Sequence, residues 1–77
     1  MKIIVNKIPD YYLQIEDYWF HGPQQRFADD AGVSRTSFGR LLHGGAVADY
    51  RIVCKVVSHL ERKLQLRLDL REVYQVE

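Results

Sequence analysis

QQRFADDAGVSRTSFGRLLH, residues 24 to 43, is the stretch that decides the fold of this 77-residue chain. Phe27, Ala28 and Ala31 recur at helical offsets and form a small apolar face, while the polar residues between them face water. Gly32 follows as the residue best able to adopt a positive φ, which a short helix needs in order to end in a sharp turn. The segment therefore predicts a short helix that ends in a tight turn.

A second short helix is predicted directly after this turn. Val33 is expected to fill the corner, and Ser34 is a favourable N-cap whose hydroxyl can accept the amide of Ser37. Phe38 and Leu41 supply the buried stripe of this helix. Its outward residues include no carboxylate; they are Arg35, Thr36, Ser37, Gly39, Arg40 and His43. A face of guanidinium, hydroxyl and imidazole groups suits a groove lined by phosphates and hydrogen-bond acceptors.

The ordered set of positions in this segment resembles the phage repressor/Cro (XRE-type) family of helix-turn-helix proteins. The resemblance covers residues 24 to 43, and more loosely 9 to 74. Its matching positions are Gln24, Phe27, Ala28, Ala31, Gly32, Val33, Ser34, Phe38 and Leu41. An ordinary helical hairpin joined by a Gly-Val-Ser turn is the alternative that the same residues leave open.

The resemblance implies an all-α fold, a compact five-helix lambda-repressor-like helix-turn-helix domain. Whether short β-strands form at the N- and C-termini is left open. The implied function is that of a sequence-specific DNA-binding regulator of transcription, in the form of a repressor, which reads the major groove with the helix over residues 35 to 43. The implied partner is double-stranded DNA, bound by a homodimer, because such proteins commonly bind two half-sites with two-fold symmetry.

Two sets of side chains receive roles from this resemblance. The residues expected to read base edges are Arg35, Thr36 and Arg40. An arginine can donate two parallel hydrogen bonds to guanine, and the hydroxyl or methyl group of threonine can contact thymine. The residues expected to bind DNA phosphates are Gln24, Ser34, Ser37 and His43, with the amides of Gly44 and Gly45 close by. Pairing of Arg40 with Asp29 or Asp30 remains an alternative.

Helices are also predicted on both sides of the motif. The first runs over residues 9 to 20 with Tyr12, Ile15 and Trp19 inward, and Pro23 begins the next helix. Asp49 is expected to cap a fourth helix. The apolar residues of that helix keep helical spacing over three turns; they are Ile52, Val53, Val56, Val57, Leu60 and Leu64.

The C-terminal residues support more than one interpretation. Alternation of leucines with polar residues over 64 to 70 indicates a strand when taken alone. The resemblance instead implies a short fifth helix from Asp69 or Leu70 to Tyr74, although the family's usual glycine near Gln65 is absent. Residues 74 to 76 are a further strand candidate that would pair with residues 2 to 5, within one chain or across a dimer. Residues 64 to 76 and 3 to 5 are the expected dimer surfaces.

Length and composition predict one domain over residues 1 to 77. The net charge of +1 decides nothing about nucleic acid, because affinity depends on local phosphate contacts. The single cysteine, Cys54, excludes an internal disulfide and is expected to be a small apolar or half-buried helix residue. No apolar run has membrane-spanning length and no signal peptide is recognisable, so a cytoplasmic location is expected.

Residues suited to catalysis are few and isolated. Cys54, His21 and His59 lie in no recognisable catalytic motif, and His59 is expected at the surface or half-buried. We therefore predict no enzyme activity, no metal site and no cofactor. The alternative function is a protein-binding helix-turn-helix module, such as an antitoxin or an anti-regulator. A third possibility is a structural subunit of a larger assembly.

Overall fold

The computed structural model describes residues 2 to 15 and 23 to 77, and of Pro23 the backbone alone. In chain order the elements are β1 (Ile3–Asn6), α1 (Ile8–Tyr12), α2 (Pro23–Ala31), α3 (Arg35–Leu42), α4 (Tyr50–Leu64), α5 (Leu70–Val73) and β2 (Tyr74–Val76). The fold is mostly helical, at 59%, with five helices and a two-stranded antiparallel sheet among these residues. The prediction of a small helical fold is thus confirmed, but a strictly all-α class is wrong because the two ends of the chain pair as strands.

Aromatic rings from four helices meet in the core. Phe27 of α2 and Phe38 of α3 stack with centroids 4.5 Å apart and an interplanar angle of 12°. Tyr12 of α1 contacts both rings edge-on at 5.4 Å, and His59 of α4 contacts Phe27 edge-on at 4.8 Å. Offset-stacked and edge-to-face pairs add to the stabilisation that burial of the rings provides. This cluster fixes α2 against α3 and both against α4.

The turn between α2 and α3 has the geometry that the sequence predicts. Gly32 adopts a φ of 80°. The amide of Val33 donates to the carbonyl of Ala28 at 2.9 Å, and that of Gly32 donates to the carbonyl of Asp29 at 3.2 Å. This pair of bonds is the Schellman arrangement, which satisfies the last carbonyls of a helix and reverses the chain within three residues.

The first helix is shorter than the predicted range of residues 9 to 20. It ends at Tyr12, after which the amides of Gln14 and Ile15 donate to carbonyls only three residues back, both at 3.1 Å. This tightening of the last turn ends the α-helical pattern and leaves Ile15 buried. The predicted inward position of Trp19 lies outside the described residues, as does His21.

The fourth helix begins and ends near its predicted bounds. Asp49 caps it, because its carboxylate accepts a hydrogen bond from the backbone amide of Arg51 at 3.0 Å. Its end falls at Leu64 although no glycine follows, because Gln65 adopts the left-handed conformation with φ 54° and ψ 42°. The amide of Leu66 then donates to the carbonyl of Glu61 at 3.1 Å, a bond across five residues like that from Val33 to Ala28 at the end of α2.

Two predictions on this helix are wrong. Cys54 is exposed and not half-buried, whereas His59 is buried with 6% of its surface accessible. The buried residues Val53, Val56 and Leu60 define the inward face, and His59 falls beside them against the ring of Phe27. Cys54 falls on the opposite side of the helix.

The C-terminal alternatives are resolved by the sheet. Residues 66 to 69 form no regular element. Asp69 then caps α5, because its carboxylate accepts a hydrogen bond from the backbone amide of Arg71 at 2.9 Å. β2 pairs with β1 within the same chain, with Ile3 opposite Val76 and Asn6 opposite Tyr74. The register shifts between Ile3 and Val5, so Ile4 is the extra residue of a bulge and is 54% exposed.

Candidate nucleic-acid interface

The start of α3 is fixed by two serine side chains. The hydroxyl of Ser34 accepts a hydrogen bond from the Ser37 amide at 3.1 Å, as predicted, and lies 3.0 Å from the Ser37 hydroxyl. Each hydroxyl carries one proton, so one proton joins the two oxygens and one is left to donate outward. The two predicted phosphate-binding serines thus form a pair with one donor to offer.

The outward face of α3 carries cationic and polar side chains without an acid. Arg35, Thr36, Arg40 and His43 are exposed, and no carboxylate lies within the helix. In the described part of the chain no ion pair joins Arg40 to Asp29 or Asp30. Asp29 accepts a hydrogen bond from the side-chain amide of Gln25 at 2.7 Å. The two arginines of this face are therefore available to an external partner.

A shallow, open depression lies along this face, between α3 and the loop that follows it. Its lining residues are Thr36, Gly39, Arg40, His43, Gly45 and Ala46. Thr36, Arg40 and His43 follow one another at intervals of four and three residues, which places them on one side of the helix. The structure thus brings together two of the three predicted base-reading residues and one predicted phosphate-binding residue, whereas Arg35 lies outside the depression.

A second depression adjoins the first at His43. It lies between α1 and the motif, and its lining residues are Pro9, Tyr12, Leu13, Gln24, Leu42 and His43. Gln24 at the start of α2 and His43 at the end of α3 therefore share one surface, although they are nineteen positions apart in the sequence. Two side chains that were predicted separately as phosphate ligands are neighbours in the fold.

The amides of Gly44 and Gly45 are engaged within the protein, which corrects their predicted role at a phosphate. The Gly45 amide donates to the Arg40 carbonyl at 2.8 Å and the Gly44 amide to the Leu41 carbonyl at 3.2 Å. Gly44 has a φ of 81°, and a Cβ at Gly45 would lie 3.0 Å from the Arg40 carbonyl oxygen. Both glycines end α3 and hold the following loop against it, so their donors are not free for DNA.

Asn6 is the positioning residue that the sequence did not reveal. Its side-chain nitrogen donates to the carbonyl oxygens of Leu41 at 2.8 Å and Gly45 at 3.1 Å, while its oxygen accepts the amide of Ile8 at 3.0 Å. One half-buried side chain therefore joins β1, the start of α1 and the end of α3. The only local signal was an asparagine after a β-branched run, which indicates a break in a strand and not a contact 35 residues away.

Among the residues that the structure describes, the ionisable groups with displaced pKa values lie outside the exposed face of α3. Hydrogen bonds from Arg51 lower the pKa of the Asp49 carboxyl, and the two groups form an ion pair at 3.1 Å. Burial, and then the positive charge of Arg62, lower the pKa of His59, so its ring is neutral at pH 7. Since Asp49 is held by Arg51, its negative charge is partly compensated close to the loop that follows α3.

The described ranges show neither a membrane-spanning helix nor a group of three or more His, Cys, Asp and Glu side chains placed to hold a metal ion.

Comparison of the chain with protein-family models, with curated proteins and with solved structures found no match.

Proposed function

We propose that this protein is a sequence-specific DNA-binding regulator of transcription, acting as a repressor, and that it inserts α3 into the major groove. The observation that carries the proposal is the exposed, acid-free face of α3, which begins with Arg35 and continues through Thr36 and Arg40 to His43. A major groove about 12 Å wide admits an α-helix and presents guanine acceptors to arginine.

The arrangement of α2 and α3 supports this proposal. A three-residue turn joins the two helices, and α2 presents Gln24 beside His43 at the end of α3. In a helix-turn-helix protein the second helix contacts bases, while the first helix crosses the DNA backbone. We therefore assign base contacts to Arg35, Thr36 and Arg40. We assign phosphate contacts to Gln24, to the Ser34 and Ser37 pair and to His43.

The element order also supports membership of the phage repressor/Cro (XRE-type) family as a proposal. Five helices are present among the described residues, the second and third form the turn motif, and short strands lie at the two ends.

We further propose that two copies bind DNA together as a homodimer. Two of the exposed large hydrophobic residues, Ile4 at 54% and Leu66 at 48%, fall within the surfaces expected for a dimer from the sequence. A two-fold dimer would place two α3 helices in successive major grooves, about 34 Å apart along the duplex.

The test is selection of bound duplexes from a random pool, followed by affinity measurements from 50 to 200 mM salt. We expect enrichment of a two-fold symmetric site that contains guanine, with an affinity that falls steeply as salt rises because phosphate contacts release counterions. Removing Arg35 and Arg40 together by R35A/R40A should abolish enrichment.

The matched control is K7A/K55A, which removes the same number of charges from exposed residues outside α2, α3 and the proposed dimer surfaces. It should retain the selected sequence. No binding at low salt would contradict the proposal and favour the protein-binding helix-turn-helix module, such as an antitoxin or an anti-regulator. Equal losses in both double variants would show attraction by net charge without base reading.

A further inference from the structure

Gly39 occupies the centre of the exposed face of α3. It is the fifth of the eight residues of this helix and is half-buried. It lies in the depression between α3 and the following loop, flanked along the helix by Thr36, Arg40 and His43. A glycine therefore stands at the position where a partner entering this depression would come closest to the helix backbone.

The fold itself does not require glycine at this position. Gly32 and Gly44 need a positive φ and Gly45 has no space for a Cβ, but neither condition applies to Gly39. Apart from its chain neighbours and the nearby backbone of α3, a Cβ at Gly39 would have no atom within 4 Å. Glycine is also the least favourable residue in a helix interior apart from proline. Glycine at this position thus destabilises the helix, and no contact within the protein explains its presence.

The chemistry of the depression restricts what would fill the space. The amides of Gly44 and Gly45 donate within the protein at 3.2 and 2.8 Å, so neither is available to an anion that enters the depression. Ala46 adds a methyl group to the lining, while the side chains of Arg40 and His43 add hydrogen-bond donors. A small apolar group attached to a ring with hydrogen-bond acceptors fits this pattern.

Building on the DNA-binding function proposed above, we propose that Gly39 is a specificity-determining residue that seats the 5-methyl group of a thymine. Thymine is the base that presents both a methyl group and an acceptor in the major groove. With no side chain at Gly39, the methyl group enters the depression between Thr36 and Ala46. Arg40 then reaches a neighbouring base pair.

The experiment uses the duplex that the wild-type protein selects from a random pool. Each thymine of a half-site is replaced in turn by deoxyuridine, which removes the methyl group alone. We expect one replacement to weaken wild-type binding about four-fold, the effect of one methyl-sized group leaving an apolar contact. G39A fills the space with its own methyl group, so we expect at least ten-fold weaker binding to the selected site and no further loss with deoxyuridine.

Thermal unfolding shows whether G39A is folded, and we expect its melting temperature to equal or exceed that of the wild type. S58A, at an exposed position of α4, is the matched control and should bind like the wild type with the same response to deoxyuridine. If G39A keeps both the affinity and the thymine preference, the proposal is overturned while DNA binding stands.

Two further outcomes would also overturn the proposal. An equal loss of G39A affinity on all sequences would indicate contact with the DNA backbone and not with a thymine. If the wild-type protein binds no duplex, the proposed DNA-binding function is overturned together with this inference. This outcome is seen with the wild type alone, so it cannot be confused with an effect of G39A.

Discussion

The side-chain amide of Asn6 donates a hydrogen bond of 2.8 Å to the carbonyl oxygen of Leu41, in the last turn of α3. The same nitrogen reaches the Gly45 carbonyl at 3.1 Å, and the side-chain oxygen accepts the Ile8 amide at 3.0 Å. The terminal sheet is thus bonded to the end of the helix that we assign to the DNA groove. The position of α3 depends on a residue outside the helix-turn-helix motif.

Replacing Asn6 with alanine should lower the free energy of unfolding by about 2 kcal/mol. The variant removes the side-chain partner of the Ile8 amide and of the Gly45 carbonyl, and one of the two donors to the Leu41 carbonyl. Buried backbone groups that lose their partner cost more than an exposed hydrogen bond gains. Urea denaturation would measure the change, with Lys7→Ala at the adjacent exposed position as the control. A loss below about 0.5 kcal/mol, the usual range for surface substitutions, would contradict the role assigned to Asn6.

Arg35→Ala and Gln24→Ala should weaken DNA binding in different ways. We expect the arginine variant to lose on the order of 1–3 kcal/mol on the selected site and to relax the preference at one base pair. The glutamine variant should lose affinity for all sequences alike, because a phosphate contact carries no sequence information. Fluorescence anisotropy on matched and mismatched duplexes separates the two patterns. Small and equal losses everywhere for Arg35→Ala would remove its assignment as a base reader.

Gln65→Gly should stabilise the protein by about 0.5–1 kcal/mol. Gln65 ends α4 with a φ of 54°, where a side chain is strained and glycine is not, although glycine also loses more chain entropy on folding. Thermal and urea unfolding would measure the gain. Gly32→Ala, at a φ of 80°, is the reciprocal control and should destabilise by a similar amount. Destabilisation by both substitutions would contradict a left-handed Gln65.

His59 should make stability fall as the solution becomes acidic. Its folded-state pKa lies below the ordinary value of 6.5, chiefly because of burial, so below about pH 6.5 the unfolded chain binds a proton that the folded chain resists. The contribution of His59 to the free energy of unfolding is fully present above about pH 6.5. It is lost as the pH falls toward the pKa of His59 in the folded state. The stability advantage of the wild type over His59→Gln should therefore shrink between pH 7.5 and pH 5.

Urea denaturation at each pH would give this difference directly. His43→Gln is the matched control, because it makes the same substitution at an exposed position outside the core. An advantage that stays constant or grows on acidification would show that His59 is not buried as a neutral ring.

The features that sequence analysis predicted correctly are those with a local cause. Ser34 and Asp49 cap helices because each side chain reaches an amide two or three residues away, and Gly32 ends α2 because its conformation is intrinsic to glycine. The spacing of Phe27 and Phe38 likewise predicted which faces of α2 and α3 are buried. The outward arginines followed from the same periodicity.

The features that were predicted wrongly or left open depend on residues far apart in the chain. The sequence predicts a first helix that continues beyond Tyr12. The alternation of leucines after Leu64 does not decide between a strand and a helix. His59 was expected nearer the surface because its position beside Phe27 depends on how α4 packs on α2. Gln65 showed no local signal for the left-handed conformation that ends α4.

The sequence by itself determined the turn between α2 and α3, the caps of α3 and α4, and an outward face without acids, since hydrogen bonds and periodicity over a few residues are sufficient for each. Only the tertiary structure decided that the chain ends pair as a sheet, that Asn6 holds the end of α3, and that Gln24 lies beside His43. These contacts join segments from nineteen to more than seventy positions apart, and their pairing is selected by how the helices pack around one shared core.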